Sequence, residues 1–326
     1  MPTVSVIIPT YNRGYVIESA IESVLAQTHR DFEIIVVDDG STDDTKQRLS
    51  RYAGKIRCLE GPHRGAAAAR NAGIRQARGE FVAFLDSDDI WLPEKLAKVV
   101  DVFQHELAVG MVTSYLTLVD EQDRRVLGLK PAKRPGTTYE GMLLEGSAQS
   151  SAVVIRRSSL DAVGLFDEEA EGMEDLELFL RVARRFRVVH LDEELGRYRR
   201  HVLKFPEGLH RVYRGFVRTY EKVLGELRPD ELDHHAVQTV RRYLARSHYV
   251  LGVLEARMGR RRSARRHIAA AIRLWPMVGW IVEEQAVSSS RKLLNLLKPY
   301  GAMVTLTVLP WTRSWRQPQT SSESAA

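Results

Sequence analysis

Glu80-Phe81-Val82-Ala83-Phe84-Leu85-Asp86-Ser87-Asp88-Asp89 runs from an apolar segment into three carboxylates within four positions. Phe81 to Leu85 has the length and composition of a buried strand, so the acids fall at its carboxyl end, where open α/β sheets hold their ligands. Three like charges so close repel unless a cation or a hydrogen-bond network compensates them, and a divalent ion is the simplest compensator. A second reading stays open. Asp89-Ile90-Trp91-Leu92-Pro93-Glu94 also suits an acidic turn entering a helix, with Asp89 as the cap and Pro93 near the first turn.

On either side, apolar runs at 4–8, 33–37, 56–59 and 111–118 read as further strands, and 15–26, 43–52, 66–77 and 94–105 carry helical spacing. This alternation predicts a Rossmann-like α/β fold, a mostly parallel sheet flanked by helices, with right-handed crossovers. Residues 124–146, rich in Gly, Pro and Lys, read as a loop or short hairpin beside the site, and 151–155 as another strand. Over 174–185 the acids come first and the arginines last, as a helix dipole prefers. Beyond about residue 201 the pattern is helical, at 209–227, 231–258, 262–274 and 278–297, and Tyr249, Gly252, Ala256, Gly259, Ala264, Ala269 and Pro276 approach the spacing of a tetratricopeptide-type hairpin. The expected organisation is an α/β domain over 1–205, a basic helical extension over 206–300, and a short apolar segment with a disordered tail over 301–326.

A chain of 326 residues with 44% apolar content can bury a large core. Its single cysteine, Cys58, excludes an internal disulfide and a cysteine cage for metal, which fits a reducing compartment. The start enters a strand with neither a basic leader nor an apolar h-region, and no stretch reaches the roughly 18 apolar residues of a spanning helix. A cytoplasmic protein is therefore expected, peripheral at the inner face of the membrane. The net charge of +6 is unevenly spread: residues 1–194 carry 24 Lys and Arg against 32 Asp and Glu, and the remainder carry 24 against 10. The acidic part suits a cation site and the basic part an anionic surface.

Val36-Val37-Asp38-Asp39-Gly40-Ser41-Thr42-Asp43-Asp44 repeats the pattern of apolar run, paired acids and turn, and Pro9-Thr10-Tyr11-Asn12-Arg13 closes the first strand. Parallel strands ending this way share one rim. A nucleotide fits there: Tyr11 can stack on a base, Asp39 can accept from a base N–H, and Asp88 can hold a metal against phosphate oxygens. Duller roles are available to each residue, with Tyr11 as edge packing, Arg70 as a solvated helix residue, and Glu174 and Asp175 as complements to a helix dipole.

Pro9-Thr10-Tyr11-Asn12, Val37 to Asp43, Gly65 to Ala69 leading into Arg70-Asn71-Ala72-Gly73-Ile74, and Asp86-Ser87-Asp88-Asp89 together resemble the family 2 inverting glycosyltransferases. By motif order the resemblance spans the first two-thirds of the chain. It implies a GT-A fold, a nucleotide-sugar donor, a divalent cation (Mn²⁺ or Mg²⁺) and inversion at the anomeric carbon. UDP is the carrier by family habit, with GDP and dTDP compatible with the same diphosphate and metal logic. It further implies donor-nucleotide roles for Pro9, Tyr11, Asp39, Arg70 and Asp86, and a metal role for Asp88. An inverting displacement needs a carboxylate to deprotonate the acceptor hydroxyl. The family's Glu-Asp pair opening a helix is matched by Glu174-Asp175, which makes Asp175 the expected base and Glu174 its neighbour. His201 falls where the family often has a histidine near the diphosphate or metal. One departure is Leu176, where family members often carry tryptophan, which puts the acceptor-side wall in doubt.

Two other functions compete. An Asp-x-Asp phosphotransferase or hydrolase also places acids at strand ends, but its nucleophile normally ends an early strand and has Ser or Thr soon after. A non-catalytic module binding anionic surfaces fits the arginine run at Arg257, Arg260, Arg261, Arg262, Arg265 and Arg266. Few aromatics interleave that run, so no nucleic acid is expected. Its neighbours Trp275, Trp280, Trp311 and Trp315 suit an anionic membrane surface, where a lipid-linked or cell-surface glycan acceptor would be found.

Overall fold

The computed structural model describes residues 1–120, 124–125, 134–170, 172–199, 207–228 and 231–276. The first half alternates β1 (Val4–Thr10), α1 (Gly14–Leu25), β2 (Phe32–Asp38), α2 (Thr45–Ser50), β3 (Arg57–Glu60), α3 (Ala66–Gln76) and β4 (Phe81–Phe84). All seven residues of β1 and all four of β4 are buried, as strands covered on both faces require. β1 pairs in parallel with β2 and with β4, and β2 with β3, so three of the acid-bearing or polar turns open at one edge of the sheet. α3 lies tight against β1 because Gly73 lacks a side chain: an added Cβ would stand 2.5 Å from Cγ2 of Ile7.

The second half is less regular. It comprises β5 (Ile90–Trp91), α4 (Lys95–His105), β6 (Val109–Val119), α5 (Tyr139–Glu145), β7 (Val154–Arg156), α6 (Arg157–Val163), α7 (Glu174–Ala183) and β8 (Arg187–Arg199). The sheet order is β3-β2-β1-β4-β7-β6-β8-β5, with β7 antiparallel to β4 and β6, β8 parallel to β6, and β5 antiparallel to β8. The expected α/β sheet is present, parallel on one side and mixed on the other. β8 carries no clean apolar alternation: Asp192, Glu193 and Glu194 are exposed in its middle, and its pairing with β6 slips at Ser114/Tyr115 and Tyr115/Thr117. The expected strand over 151–155 starts late, because Ser150–Ala152 forms one 3₁₀ turn before β7. Within the segment read as a loop, Thr138 caps α5 by accepting from the Gly141 N–H.

Compact packing divides the chain into Met1–Val240 and Arg241–Ala326. The first unit takes in α8 (Glu207–Glu226), whose Lys222 donates to the buried Glu177 of α7 at 2.6 Å. The residues of α9 (His234–Arg257) fall in both units. In the second unit α9 meets α10 (Arg261–Leu274) at Gly252, where an added Cβ would come within 2.6 Å of Cγ1 of Ile268. The helix expected at 278–297, the apolar segment and the tail lie outside the described residues.

Lys95 is the oddity of the core. It is fully buried at the head of α4, with Nζ donating to Ser114 Oγ and the Ala152 carbonyl at 3.1 Å each and lying 5.3 Å from the Trp91 ring centre. Burial pulls its amine down to about 7. The unfolded chain holds this proton up to its ordinary pKa, whereas the folded chain releases it near pH 7, so Lys95 costs most stability below pH 7 and progressively less toward pH 10. Lys95→Met should therefore unfold at a higher urea concentration than wild type at pH 6, with the gap closing by pH 10. A gap independent of pH would contradict this.

Candidate active site

The turns after β1 and β2 brace each other. Asn12 takes a left-handed conformation (φ 53°), which aims its Oδ1 at the Thr42 N–H (2.8 Å), while its own N–H donates to Ser41 Oγ (2.9 Å). Asp38 accepts from the Ser41 N–H at 2.9 Å, and Asp43 accepts from Gly14 and Thr45 at 3.1 and 3.0 Å. These two acids hold turns. Asp39 points elsewhere: it accepts the N–H groups of Arg64 and Gly65 at 2.8 Å each and lies 2.8 Å from Nδ1 of His63. The half-exposed Tyr11 stacks on that histidine, with ring centres 3.9 Å apart and planes 17° off parallel. Pro9 is buried in β1, in register with Val37.

Opposite this pair, Arg70 of α3 gathers three carboxylates. Its guanidinium donates to Asp86 at 2.7 Å, to Glu174 at 3.2 Å and to Asp175 at 3.4 Å, over the ring of Phe166 at 5.5 Å. The arginine side chain is only 5% exposed. α3 and α7 are thereby joined at the end of β4. Glu174 opens α7 and turns back to accept from the Gly172 N–H at 2.6 Å, and Gly172 adopts the positive φ this turn needs. Arg70 is held well above its ordinary pKa: burial opposes its charge, but Asp175, Asp86 and Glu174 outweigh it. Asp175 goes the other way for a carboxyl. Burial in the cleft pushes it up to about 6; Arg70 pulls it down, and Glu174 and Asp86 push it further up.

The acids at the end of β4 divide their work. Asp86 faces Arg70, and Asp88 pairs with Arg13 at 3.3 Å. Asp89 is not the helix cap the sequence allowed: α4 begins only at Lys95, after Glu94. Instead Asp89 is buried, accepts from Ser151 Oγ at 2.5 Å and from the Arg199 N–H at 3.0 Å, and has its pKa raised by burial and by Asp86 and Asp88. Ser151 Oγ also accepts from the Asp86 N–H at 3.0 Å, so one hydroxyl fixes the acidic turn from both sides. Ser151→Ala should cost about 1–3 kcal/mol by orphaning a buried donor and a buried carboxyl. Urea unfolding measures it, and an unchanged midpoint would refute the bracing role.

The geometry brings together Asp86, Arg70, Glu174 and Asp175, and separately Tyr11 with Asp39. His201 lies outside the described residues. Leu176 is buried in α7. Sequence reading missed Arg13, His63, Ser151 and Tyr198. Burial, and after it the charges of Asp89, Asp86, Asp88 and Asp175, push the Tyr198 phenol up to about 12. Arg13 stands inside a stretch read for other residues, whereas nothing in the sequence marks the 61–65 loop as the partner of Asp39. Among the described residues no three ligating side chains converge into a closed metal cage. Around the Asp86 turn, the carboxyls of Asp86, Glu174 and Asp175 meet the guanidinium group of Arg70, and that of Asp88 meets Arg13. That surplus of negative oxygen suits a hard divalent cation bound by one or two carboxylates and completed by phosphate oxygens.

Residues 5–164 match the Glycosyl transferase family 2 profile. Curated relatives reach 44% identity over 127 residues, and the chain spans 28% to 63% of the length of those it matches. One, an Escherichia coli UDP-Glc:alpha-D-GlcNAc-diphosphoundecaprenol beta-1,3-glucosyltransferase, WfaP, is 34% identical over 162 residues, covering 49% of this chain and 63% of its own. Among solved structures, S. aureus TarS 1-349 in complex with UDP-GlcNAc superposes with a TM-score of 0.65 at 21% identity, over 94% of this chain and 89% of that one. The mannosyltransferase PcManGT from Pyrobaculum calidifontis, in complex with GDP-Man and Mn²⁺, gives 0.57 at 19% identity, over 94% and 87%. Both likenesses establish the GT-A fold.

Proposed function

Through residues 5–164 this chain belongs to glycosyl transferase family 2, and from that premise we propose that it moves a sugar from a nucleoside diphosphate, UDP foremost, to a hydroxyl of a lipid-linked or cell-surface glycan, inverting the anomeric carbon. The observation that carries this reading is the Arg70 junction, which ties Asp86 at the donor end of the sheet to Glu174 and Asp175 at the head of α7. Donor and acceptor halves of an inverting site must face each other across the reacting carbon, and this junction supplies both walls.

In this reading Tyr11 and Asp39 receive the base and Pro9 lines the same rim. Arg70 and Asp86 serve the donor. Asp175, raised to about 6, takes the proton of the acceptor hydroxyl while remaining mostly ionised at pH 7, and Glu174 keeps Arg70 in place. Asp88, with His201 as a second candidate, would hold Mn²⁺ or Mg²⁺. When bound, the ion neutralises charge on the departing diphosphate. The acceptor assignment follows the lipid-linked substrate in the name of the E. coli relative. Among the described residues no helix is long and apolar enough to cross a membrane, and the reading puts the enzyme at the inner membrane face as a peripheral protein.

A thermal-shift screen of nucleotide sugars with Mn²⁺ tests donor binding directly, since a ligand at about 100 times its Kd stabilises the folded state by about 2.7 kcal/mol. UDP-sugars should raise the wild-type Tm more with Mn²⁺ than without, and Asp88→Ala should lose the Mn²⁺-dependent part. If no nucleotide shifts the wild type, the donor reading fails.

A further inference from the structure

The second compact unit, Arg241–Ala326, carries 15 Lys and Arg against 4 Asp and Glu, whereas residues 1–240 carry 33 against 38. No pairing within the unit can neutralise such an excess. In the described part, 241–276, there are ten arginines and one acid, Glu255, which is buried and lies 3.5 Å from Arg260. α10 sorts its residues by face: Ala264, Ile268 and Ala271 are buried, while Arg261, Arg262, Arg265, Arg266 and Arg273 are exposed. Arg266 and Arg273 also border a groove of about 810 Å³ lined by Ala269, Ala270 and His248, roomy enough for a phosphate headgroup. The inward stripe packs on α9, and the arginine face is turned to solvent.

We propose that the arginine face of α10 docks this protein on an anionic phospholipid surface. Arginine forks match phosphate oxygens, and clustered basic residues gain attraction to anionic leaflets that dies away within a Debye length. Tyr249 is buried, Trp275 lies under Arg242 at 5.4 Å, and α10 itself carries no Phe, Tyr or Trp, so its arginine face lacks the stacking platforms that single-stranded nucleic acid needs. The net negative charge of residues 1–240 would be repelled by the same leaflet, which makes a dedicated basic surface necessary for work there. The proposal rests on the functional reading above only for its choice of a membrane-held acceptor.

The test is sedimentation of the full chain with phosphatidylcholine vesicles, with and without an equal share of phosphatidylglycerol. Wild type should bind the mixed vesicles at low salt, ignore the neutral ones and release at high salt. A variant combining Arg261→Glu, Arg262→Glu, Arg265→Glu and Arg266→Glu should bind at least about 100-fold more weakly, while the matching Arg→Lys variant stays bound. An unchanged urea midpoint in both variants separates lost docking from lost folding. Equal binding by the Glu variant, equal binding to neutral vesicles, or tighter binding to single-stranded RNA at the same salt would each overturn the proposal. Intact vesicle binding with no glycosyl transfer to any acceptor would overturn the catalytic reading and leave the docking surface standing.

Discussion

Asp175→Asn should bind donor as tightly as wild type and lose glycosyl transfer by about 10²–10⁴-fold, the usual worth of a positioned general base. Two forces compete over this carboxyl. The head of α7 and the Arg70 guanidinium favour the ionised form, while the cleft walls and neighbouring acids favour the neutral one. Burial wins, and the group settles at about 6 rather than in the ordinary aspartate range. A base of that strength is still mostly ionised at pH 7 and accepts a proton more readily than an exposed aspartate. The sign follows: kcat/KM should fall on the acid side with a midpoint near pH 6 as the carboxylate protonates, and the Asn variant should lack that limb. A normal rate in Asp175→Asn, or an acid limb shared by both proteins, would remove Asp175 from the mechanism.

Arg70→Met should be the most damaging single change to stability at this site, costing about 3–5 kcal/mol at pH 7. The arginine is almost wholly buried, and its removal leaves Asp86, Glu174 and Asp175 facing one another with no cation between them. The loss depends on pH in a defined direction. Arg70 pulls Asp175 down and Glu174 and Asp86 push it up, so without the guanidinium the deficit is largest at high pH, where Asp175 is charged, and shrinks as pH falls toward and below about 6 and Asp175 takes up a proton. Urea midpoints at pH 5 and pH 8 should thus differ between variant and wild type by less at the lower pH. Arg70→Lys keeps the charge but not the planar fork that reaches three acids, and should fall between the two. Because Arg70 also pulls Asp175 down, any residual activity of Arg70→Lys should show its acid limb at or above pH 6.

Much of this was legible from residue order. The strands β1, β2 and β4 are continuous apolar runs, and each ends in polar residues that a buried strand would not carry, so both the sheet and its polar edge could be read. α7 was marked by its acids-first charge order. The other side of the sheet was not legible, because its order depends on long-range pairing: β8 carries three exposed acids and bulges, and β5 has two residues. The cap reading of Asp89 failed for a related reason. A carboxylate before a helix suits a cap locally, and only the fold brings Ser151 and Arg199 against it, 62 and 110 residues away. The same holds for the 61–65 loop, which occupies three acceptor directions of Asp39 and gives Tyr11 its stacking partner.

Inverting transfer from a nucleotide sugar across the Arg70 junction is tested most directly by incubating the full chain with an α-linked UDP-sugar, Mn²⁺ and a GlcNAc-diphospholipid acceptor, and reading the anomeric configuration of the product by proton NMR. A β-glycoside is predicted, with formation abolished in Asp88→Ala and Asp175→Asn. An α-glycoside, or a β-glycoside formed equally well by both variants, would contradict it.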